Sequence, residues 1–524
     1  MREGDCLDLR QIHILHQALQ EQTCILGVMI RSLSRMDSTL NRTHEGGVRG
    51  TWLTESIDPP EREGVGGRFD AEDDATRVAT AIRLTGRGGG HDRPTVRTLS
   101  SLMSAGKPMR TVFLDSGPVA HLSSGDVFSP LVGVDMSASD LVDGNLGFVV
   151  EKGVFTRIAP SEEIEAEYGR ESSVSLNHRA IVPGLVDAHA HLLWAGDRSN
   201  EMRLRQQGLS YADIAASGGG IRHTVNATRS ASEQDLFIEG QRRLNIALRN
   251  GTTALEAKSG YGLSTQSELK LIEVASRLKQ ESNLDLSLTW LGAHDAPPGE
   301  NREDYVEELL SEQLPAIIDQ GLARSADVFC EPGWFTLEET ESICKAASAE
   351  GLAIRLHVDE FADGGGLGLA AELGAITADH AGHSSVDQRA VASAAGTLQG
   401  FLPGTPYVLG SDHWPPIQQC IDEDWAWTLA SDFNPNCQSL SLPMVGSMVT
   451  HRMGIDPLAA LVAVSRNPAS GLVRDDGLAH GVIAEGAVAN LNVLHGVHVE
   501  GWCQTPGQSP FVGTLIAGEW VQHD

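Results

Sequence analysis

Residues 181–198 read "IVPGLVDAHAHLLWAGDR", an apolar run that ends on two histidines, His189 and His191, one alanine apart. Successive strand side chains point to opposite faces, so positions two apart point the same way. An H-x-H pair at the end of a buried strand therefore presents two imidazoles side by side. That geometry suits two ligands converging on one metal ion, and it suits a half-buried polar edge equally well. The spacing alone does not choose between them. The choice depends on what other parts of the chain bring to the same place.

Downstream of this stretch, short apolar runs alternate with helical stretches such as "SEQDLFIEGQRRLNIALRN" and "QSELKLIEVASRLKQES". Alternation of this kind is the mark of repeated βα units. Eight candidate strands stand at 181–192, 252–261, 284–294, 326–331, 352–360, 375–381, 396–404 and 425–433. Eight parallel strands over roughly 250–300 residues match a (β/α)8 TIM barrel, an α/β fold. Seven of the eight finish on a chemically capable side chain. In order these are His189 with His191, Lys258 with Tyr261, His294, Glu331, His357 with Glu360, His380, and Asp432 on the last strand. The carboxyl ends of the strands form the reactive face of such a barrel, so these groups are expected around one mouth.

The flanks read differently. "NLGFVVEKGVFTRIAP" suggests a hairpin about "EKG", and "EEIEAEYG" a brief helix. The last segment returns to short strands. The expected division is a first part of a small β-sandwich domain at 109–180, the barrel at 181–482, and the second part of the β domain at 483–524. Residues 1–108 stand apart. They carry 15 acids and 14 bases, 13 of them arginine, against a net charge of −30 for the remainder. Apart from a possible helix near 10–35 they read as loop or disorder, or as the product of a start codon placed too far upstream.

The net charge of −31 argues against nucleic acid or an anionic membrane as partner. No stretch reaches about 18 consecutive apolar residues, and the N-terminus lacks the apolar core of a secretory signal. Seven cysteines, odd in number and without C-x-x-C pairs, point to a reducing cytoplasm.

Chemically, His189, His191, His357 and Asp432 supply three neutral nitrogens and one carboxylate, a set that suits zinc or iron with a position left for water. Glu360, three after His357, is expected where strand becomes loop, leaning over the metal to shuttle protons. Asp432 is placed to take the proton of an activated water. Lys258 has two readings. It forms an ion pair with Glu256 or another mouth carboxylate, or it is a carboxylated lysine bridging two metals. His383, His413 and His451 are read as solvent-side.

The segments "PGLVDAHAH", "HVDE", "ITADHA" and "SDFNP" resemble the amidohydrolase superfamily in its single-metal branch. "GDRSNE", "SYADIAASGGGI", "TTALEAKSGYGL", "LGAHDAPP", "ADVFCE" and "DFNPN" resemble the imidazolonepropionase family more closely still, over about 109–524. The resemblance implies hydrolysis of a ring C–N bond of 4-imidazolone-5-propanoate to N-formimino-L-glutamate, with one Zn2+ or Fe3+ per subunit and a homodimer. It also implies roles. Arg198 pairs with the propanoate carboxylate, and Tyr211 and Tyr261 help hold the substrate. His294 hydrogen-bonds the ring carbonyl. Glu360 contacts the ring and passes a proton to the leaving nitrogen, His380 orients the water, and Asn434 lies beside the product.

Asn436 and Cys437 stand where many members have glycine and a small hydroxyl residue, so substrate contacts there are open. Asn436 is expected to tolerate a left-handed backbone in glycine's stead. The competing readings are another mononuclear amidohydrolase, such as a nucleobase deaminase or cyclic amide hydrolase, and a non-catalytic barrel. Arg198 with Tyr261 discriminates the first competitor, since a neutral base needs no such pair.

Overall fold

The computed structural model describes residues 110–523 apart from 172, 210–212, 215–216 and 298. The extension at 1–108, its candidate helix and Tyr211 lie outside the described residues. Among those described, eight parallel strands follow one another in chain order around a barrel. They are β1 (Leu185–Asp187), β2 (Thr252–Lys258), β3 (Asp285–Ala293), β4 (Ser325–Cys330), β5 (Ala353–Val358), β6 (Thr377–His380), β7 (Leu398–Phe401) and β8 (Trp427–Leu429). Every residue of β2 is buried. Helices cover one face of such a strand and the barrel interior the other, so its sequence shows no alternation.

The helices obey their local signals. Glu233–Arg249 starts at Ser232, whose side chain accepts the Asp235 N–H, and buries Leu236, Phe237, Gly240, Leu244 and Ala247 at helical spacing. Leu337–Ala349 opens with a capping box between Thr336 and Glu339. None of the described helices is long and apolar enough to cross a membrane.

The apolar run at 181–192 is not the single strand its sequence suggests. Ile181–Pro183 pairs antiparallel with Leu491–Leu494 in a separate six-stranded sheet, and only Leu185–Asp187 enters the barrel. Gly184 stands at the break, where a Cβ would lie 2.4 Å from the Thr253 hydroxyl oxygen. The barrel closes just beyond the named strands. Ala190 bridges Phe433 in parallel, the Asp432 N–H donates to the His189 carbonyl at 3.1 Å, and the His191 N–H donates to the Phe433 carbonyl at 2.8 Å. Closing the barrel thus brings the H-x-H segment against Asp432.

Two small sheets flank the barrel. Four strands within 110–175 form one; the other joins Pro118–Ala120, Val142–Gly144 and Ile181–Pro183 to strands within 491–522. The hairpin about "EKG" turns on Lys152 and Gly153, both with positive φ (52° and 83°), the pairing expected of a two-residue turn. "EEIEAEY" lies in the helix Ser161–Tyr168.

Candidate metal centre and active site

At the carboxyl end of the barrel, ligand atoms of His189, His191 and His357 lie within 4.8 Å of one another, as do those of His189, His380 and Asp432. His191 Nε2 is 3.4 Å from His357 Nε2, and Asp432 Oδ1 is 3.7 Å from His189 Nε2 and 3.8 Å from His191 Nε2. Buried carboxylates set two of the rings. His189 Nδ1 donates to Asp379 at 2.8 Å and His357 Nδ1 to Asp327 at 3.1 Å. A carboxylate only accepts, so each proton sits on Nδ1 and each Nε2 turns a lone pair toward the centre. His189 Nε2 is buried with no hydrogen-bond partner, as is His191 Nδ1. Burial, with Lys258 next for His189 and His294 next for His191, holds both imidazoles well below their ordinary pKa. The unpartnered His189 Nε2, converging with His191 Nε2 and His357 Nε2 beside the Asp432 carboxylate, fits a resident metal ion.

Below this cluster lies a layer of buried charge. Lys258 Nζ pairs with Glu256 at 2.9 Å and with Asp327 at 2.5 Å. Arg355 pairs with Glu256 at 2.9 Å and donates to the Ala188 carbonyl at 2.8 Å, one residue before His189. Lys258 is thus the ion-paired lysine of the first reading, committed beneath the histidines. Burial pushes the Asp327 carboxyl upward, but His357 and Lys258 outweigh it and hold it below the usual range. Burial raises Asp379 to about 6 despite Arg355. Sequence reading missed Asp327 and Asp379. The available signal was the charge at Glu256, Lys258, Asp327, Arg355 and Asp379 within short strands of otherwise uncharged residues.

Backbone strain gathers at this rim. Asp359, His380, Ala381 and Asp432 are non-glycine residues with φ of 50°, 67°, 46° and 46°. The left-handed turn at His380 breaks strand alternation, so Asp379 faces His189 while the adjacent His380 still lines the cavity.

A cavity of about 380 Å3 opens above the cluster. It is lined by His191, His357 and Asp432 and, among the other expected residues, by Arg198, Tyr261, His294, Glu360, His380, Asn434 and Asn436. Glu360 stands in the loop after β5 with Oε2 3.6 Å from His380 Nε2. Burial, reinforced by Asp432 and Glu331, pushes its carboxyl well above the ordinary range. Asp432 is also raised by burial, and accepts a hydrogen bond from the Thr405 hydroxyl.

Four expectations change here. His294 Nδ1 donates to the Gly260 carbonyl at 2.9 Å, and burial pushes its pKa down to about 3. The neutral ring therefore presents an acceptor at Nε2, not a donor for a substrate carbonyl. Cys437 does not line the cavity. Its thiol is buried 4.0 Å from the Ser431 carbonyl and raised to about 12 by burial. Asn436 has no positive φ; its carboxamide oxygen accepts from Arg205 Nη1 at 2.5 Å. His383 is half-buried rather than solvent-side and stacks on His413, centroids 4.0 Å apart.

Arg198 is not held by the fold alone. Its Nε and Nη2 both donate to the buried Glu201 carboxylate at 2.9 Å, which also accepts the Gly220 N–H at 2.8 Å. Glu201 escaped the sequence reading, although its i,i+3 spacing from Arg198 was the signal.

No protein-family model matches the chain. The chain is 43% identical over 318 residues to the imidazolonepropionase of Shewanella sediminis, covering 59% of this chain and 76% of that protein. To the imidazolonepropionase of Haloarcula marismortui it is 38% identical over 355 residues, 67% of this chain and 83% of the relative. The chain belongs to the imidazolonepropionase family. A third relative, the imidazolonepropionase of Geobacillus thermodenitrificans, is 35% identical over 394 residues, with 92% of its length covered. Among solved structures, 5-methylcytosine deaminase from Klebsiella pneumoniae superposes with a TM-score of 0.60 at 15% identity, covering 79% of this chain and 98% of that one. A zinc-bound adenosine deaminase from Xanthomonas campestris superposes with a TM-score of 0.55 at 16% identity, covering 79% and 93%. At these identities the likeness concerns the fold.

Proposed function

We propose that the protein hydrolyses a ring C–N bond of 4-imidazolone-5-propanoate, yielding N-formimino-L-glutamate. The observation that carries this reading is one cavity lined by His191, His357, Asp432 and Arg198, with His189 clustered against the same histidines and carboxylate. A neutral nucleobase has no use for a guanidinium there, whereas a propanoate does.

His189, His191, His357 and Asp432 would hold one zinc or iron ion, which supplies Lewis acidity and makes a water acidic enough to attack near neutral pH. Arg198, steadied by Glu201, binds the propanoate and sets the ring over the cluster. Tyr261 packs along the bound substrate, with Tyr211 assigned to the same task by family likeness. His294 accepts a ring N–H at Nε2, a role that follows from its tautomer. Asp432 takes the proton of the attacking water, and His380 orients that water. Glu360 delivers a proton to the ring nitrogen as the C–N bond breaks. Asn434 shapes the product side of the cavity. Its Nδ2 donates to the Asp432 carbonyl at 2.9 Å, and its Oδ1 accepts the Asn436 and Cys437 N–H groups. The acidic net charge, with the five cysteines among the described residues unpaired, supports a cytoplasmic enzyme acting on a small molecule.

The test is turnover of freshly generated 4-imidazolone-5-propanoate by the purified protein, with metal analysis of the same sample. Ring opening by protein carrying about one zinc or iron per chain is the expected result. Metal-loaded protein that opens a neutral cyclic amide or deaminates a base, yet leaves this substrate intact, would overturn the assignment.

A further inference from the structure

The fourth barrel strand ends on Glu331, which faces no substrate space. Its carboxylate is buried and instead gathers three consecutive peptide N–H groups from the loop after β5. Oε2 accepts from Glu360 at 2.8 Å, and Oε1 accepts from Phe361 and Ala362, both at 3.0 Å. No lysine or arginine among the described residues forms a salt bridge with it. The far end of the same loop is tied likewise. Asp359 accepts the N–H groups of Gly364 (2.9 Å), Gly366 (3.2 Å) and Leu367 (3.3 Å), and the Ser384 hydroxyl at 2.6 Å. The segment between, "EFADGGG" at 360–366, has almost no regular structure of its own until the helix Gly366–Glu372 begins. Two buried carboxylates thus replace the ladder that a strand would have supplied.

We infer that Glu331 is a positioning residue for proton transfer: its carboxylate fixes the backbone at 360–362 and so aims the Glu360 side chain at the ring nitrogen. The inference rests on the reading of Glu360 as the proton donor. Glu331 is not among the residues that line the cavity, and its carboxylate's hydrogen bonds go to the backbone of 360–362, so its route to the reaction runs through Glu360. The three N–H groups demand an acceptor at both oxygens. Glutamine has the same size but offers an acceptor at one, and its amide hydrogens would face an N–H at the other. Misplacing a reacting group by about 1 Å can cost roughly 100-fold in rate.

A double-mutant cycle tests this on the metal-loaded, full-length protein. Glu331→Gln is expected to lower kcat about 10- to 100-fold, with KM within about threefold and metal content unchanged. In a Glu360→Gln background the same substitution should change kcat by less than about twofold, because the group it aims is gone. Equal losses in both backgrounds, or metal and kcat falling together, would show a general structural role and overturn the inference. So would wild-type kcat in Glu331→Gln. A Glu360→Gln protein that keeps wild-type kcat is a distinct result. It would remove the proton-donor reading and this inference with it. Should Glu331→Gln fail to fold, hydrogen exchange on the unaltered protein decides. The amides of 360–362 should be protected like those of β5, and exchange at the pace of an open loop would overturn the assignment.

Discussion

The two ends of the cavity are built on opposite plans. At the metal end, imidazoles stand at or just past strand ends, and carboxylates and cations from neighbouring strands hold them. His189 leans on Asp379, His357 on Asp327, and Lys258 and Arg355 sit among those acids. At the other end, Arg198 stands on a loop after β1 and Glu201 already neutralises it, while Asn436 is tied to Arg205. The metal end accumulates negative charge and unpartnered nitrogen lone pairs, and calls for a cation. The far end offers a guanidinium of fixed orientation whose net charge is small. On the proposed reading, affinity for a metal ion would be an electrostatic property of the barrel, whereas recognition of a substrate carboxylate would be a matter of hydrogen-bond geometry.

The largest effect should come from the metal end. His357→Ala removes a convergent nitrogen and leaves Asp327 without its imidazole. Activity should fall by about 10,000-fold or more, with metal content falling in step. Elemental analysis beside a turnover assay checks this. A variant that keeps a full metal complement would move His357 out of the ligand set and blur the contrast between the two ends.

At the carboxylate end the response should be a change of KM. Arg198→Ala is expected to raise KM about 10- to 100-fold while metal content stays normal, the loss appropriate to charge-assisted hydrogen bonds. It also strands Glu201 in a buried site, so Tm should fall. Adding Glu201→Gln should recover Tm but not KM, which separates the structural half of the pair from the recognising half. An unchanged KM in Arg198→Ala would remove the carboxylate role.

How much of this could be read beforehand follows the same division. H-x-H spacing, eight apolar runs and their polar ends are local patterns, and periodicity exposes them. Which sheet a run joins is not local. "IVPGLVD" looks continuous, yet it divides at Gly184 because Thr253 crowds that point from another strand. Asp379 was hidden for a related reason. Alternation assigns one face to Asp379 and the other to His380, and only the left-handed turn at His380 lets both serve the site. His294 illustrates a third limit, since its position was legible and its tautomer was not. The proton location depends on the Gly260 carbonyl, 34 residues earlier in sequence.

Asp379→Asn probes the support rather than the ligand. The amide can still meet His189 but no longer strengthens it as a base, and outer carboxylates of this kind typically account for about 10- to 100-fold in metal affinity. Competition with a chelator should show a loss of that size, while kcat of the fully loaded protein stays close to wild type. Equal affinity would mean that strand geometry alone orients His189.

The smallest effect is expected at Asn436, where the sequence departs from the family's usual glycine. Were the residue left-handed, Asn436→Gly would relieve strain and stabilise the protein. Its φ is ordinary, and the turn is already closed by the Asn434 carboxamide and by the Asn434 N–H donating to the Cys437 carbonyl at 3.0 Å. Glycine should therefore cost roughly 0.5–1 kcal/mol of stability through added freedom in the unfolded chain. It also removes the bond to Arg205, on the rim away from the metal, so kcat should hold and KM should rise by no more than about threefold, the scale of one modest hydrogen bond. A tenfold rise in KM would put the Asn436 carboxamide in direct contact with substrate and give the carboxylate end a second recognising group; a rise in Tm would put the left-handed turn back where the sequence first suggested it.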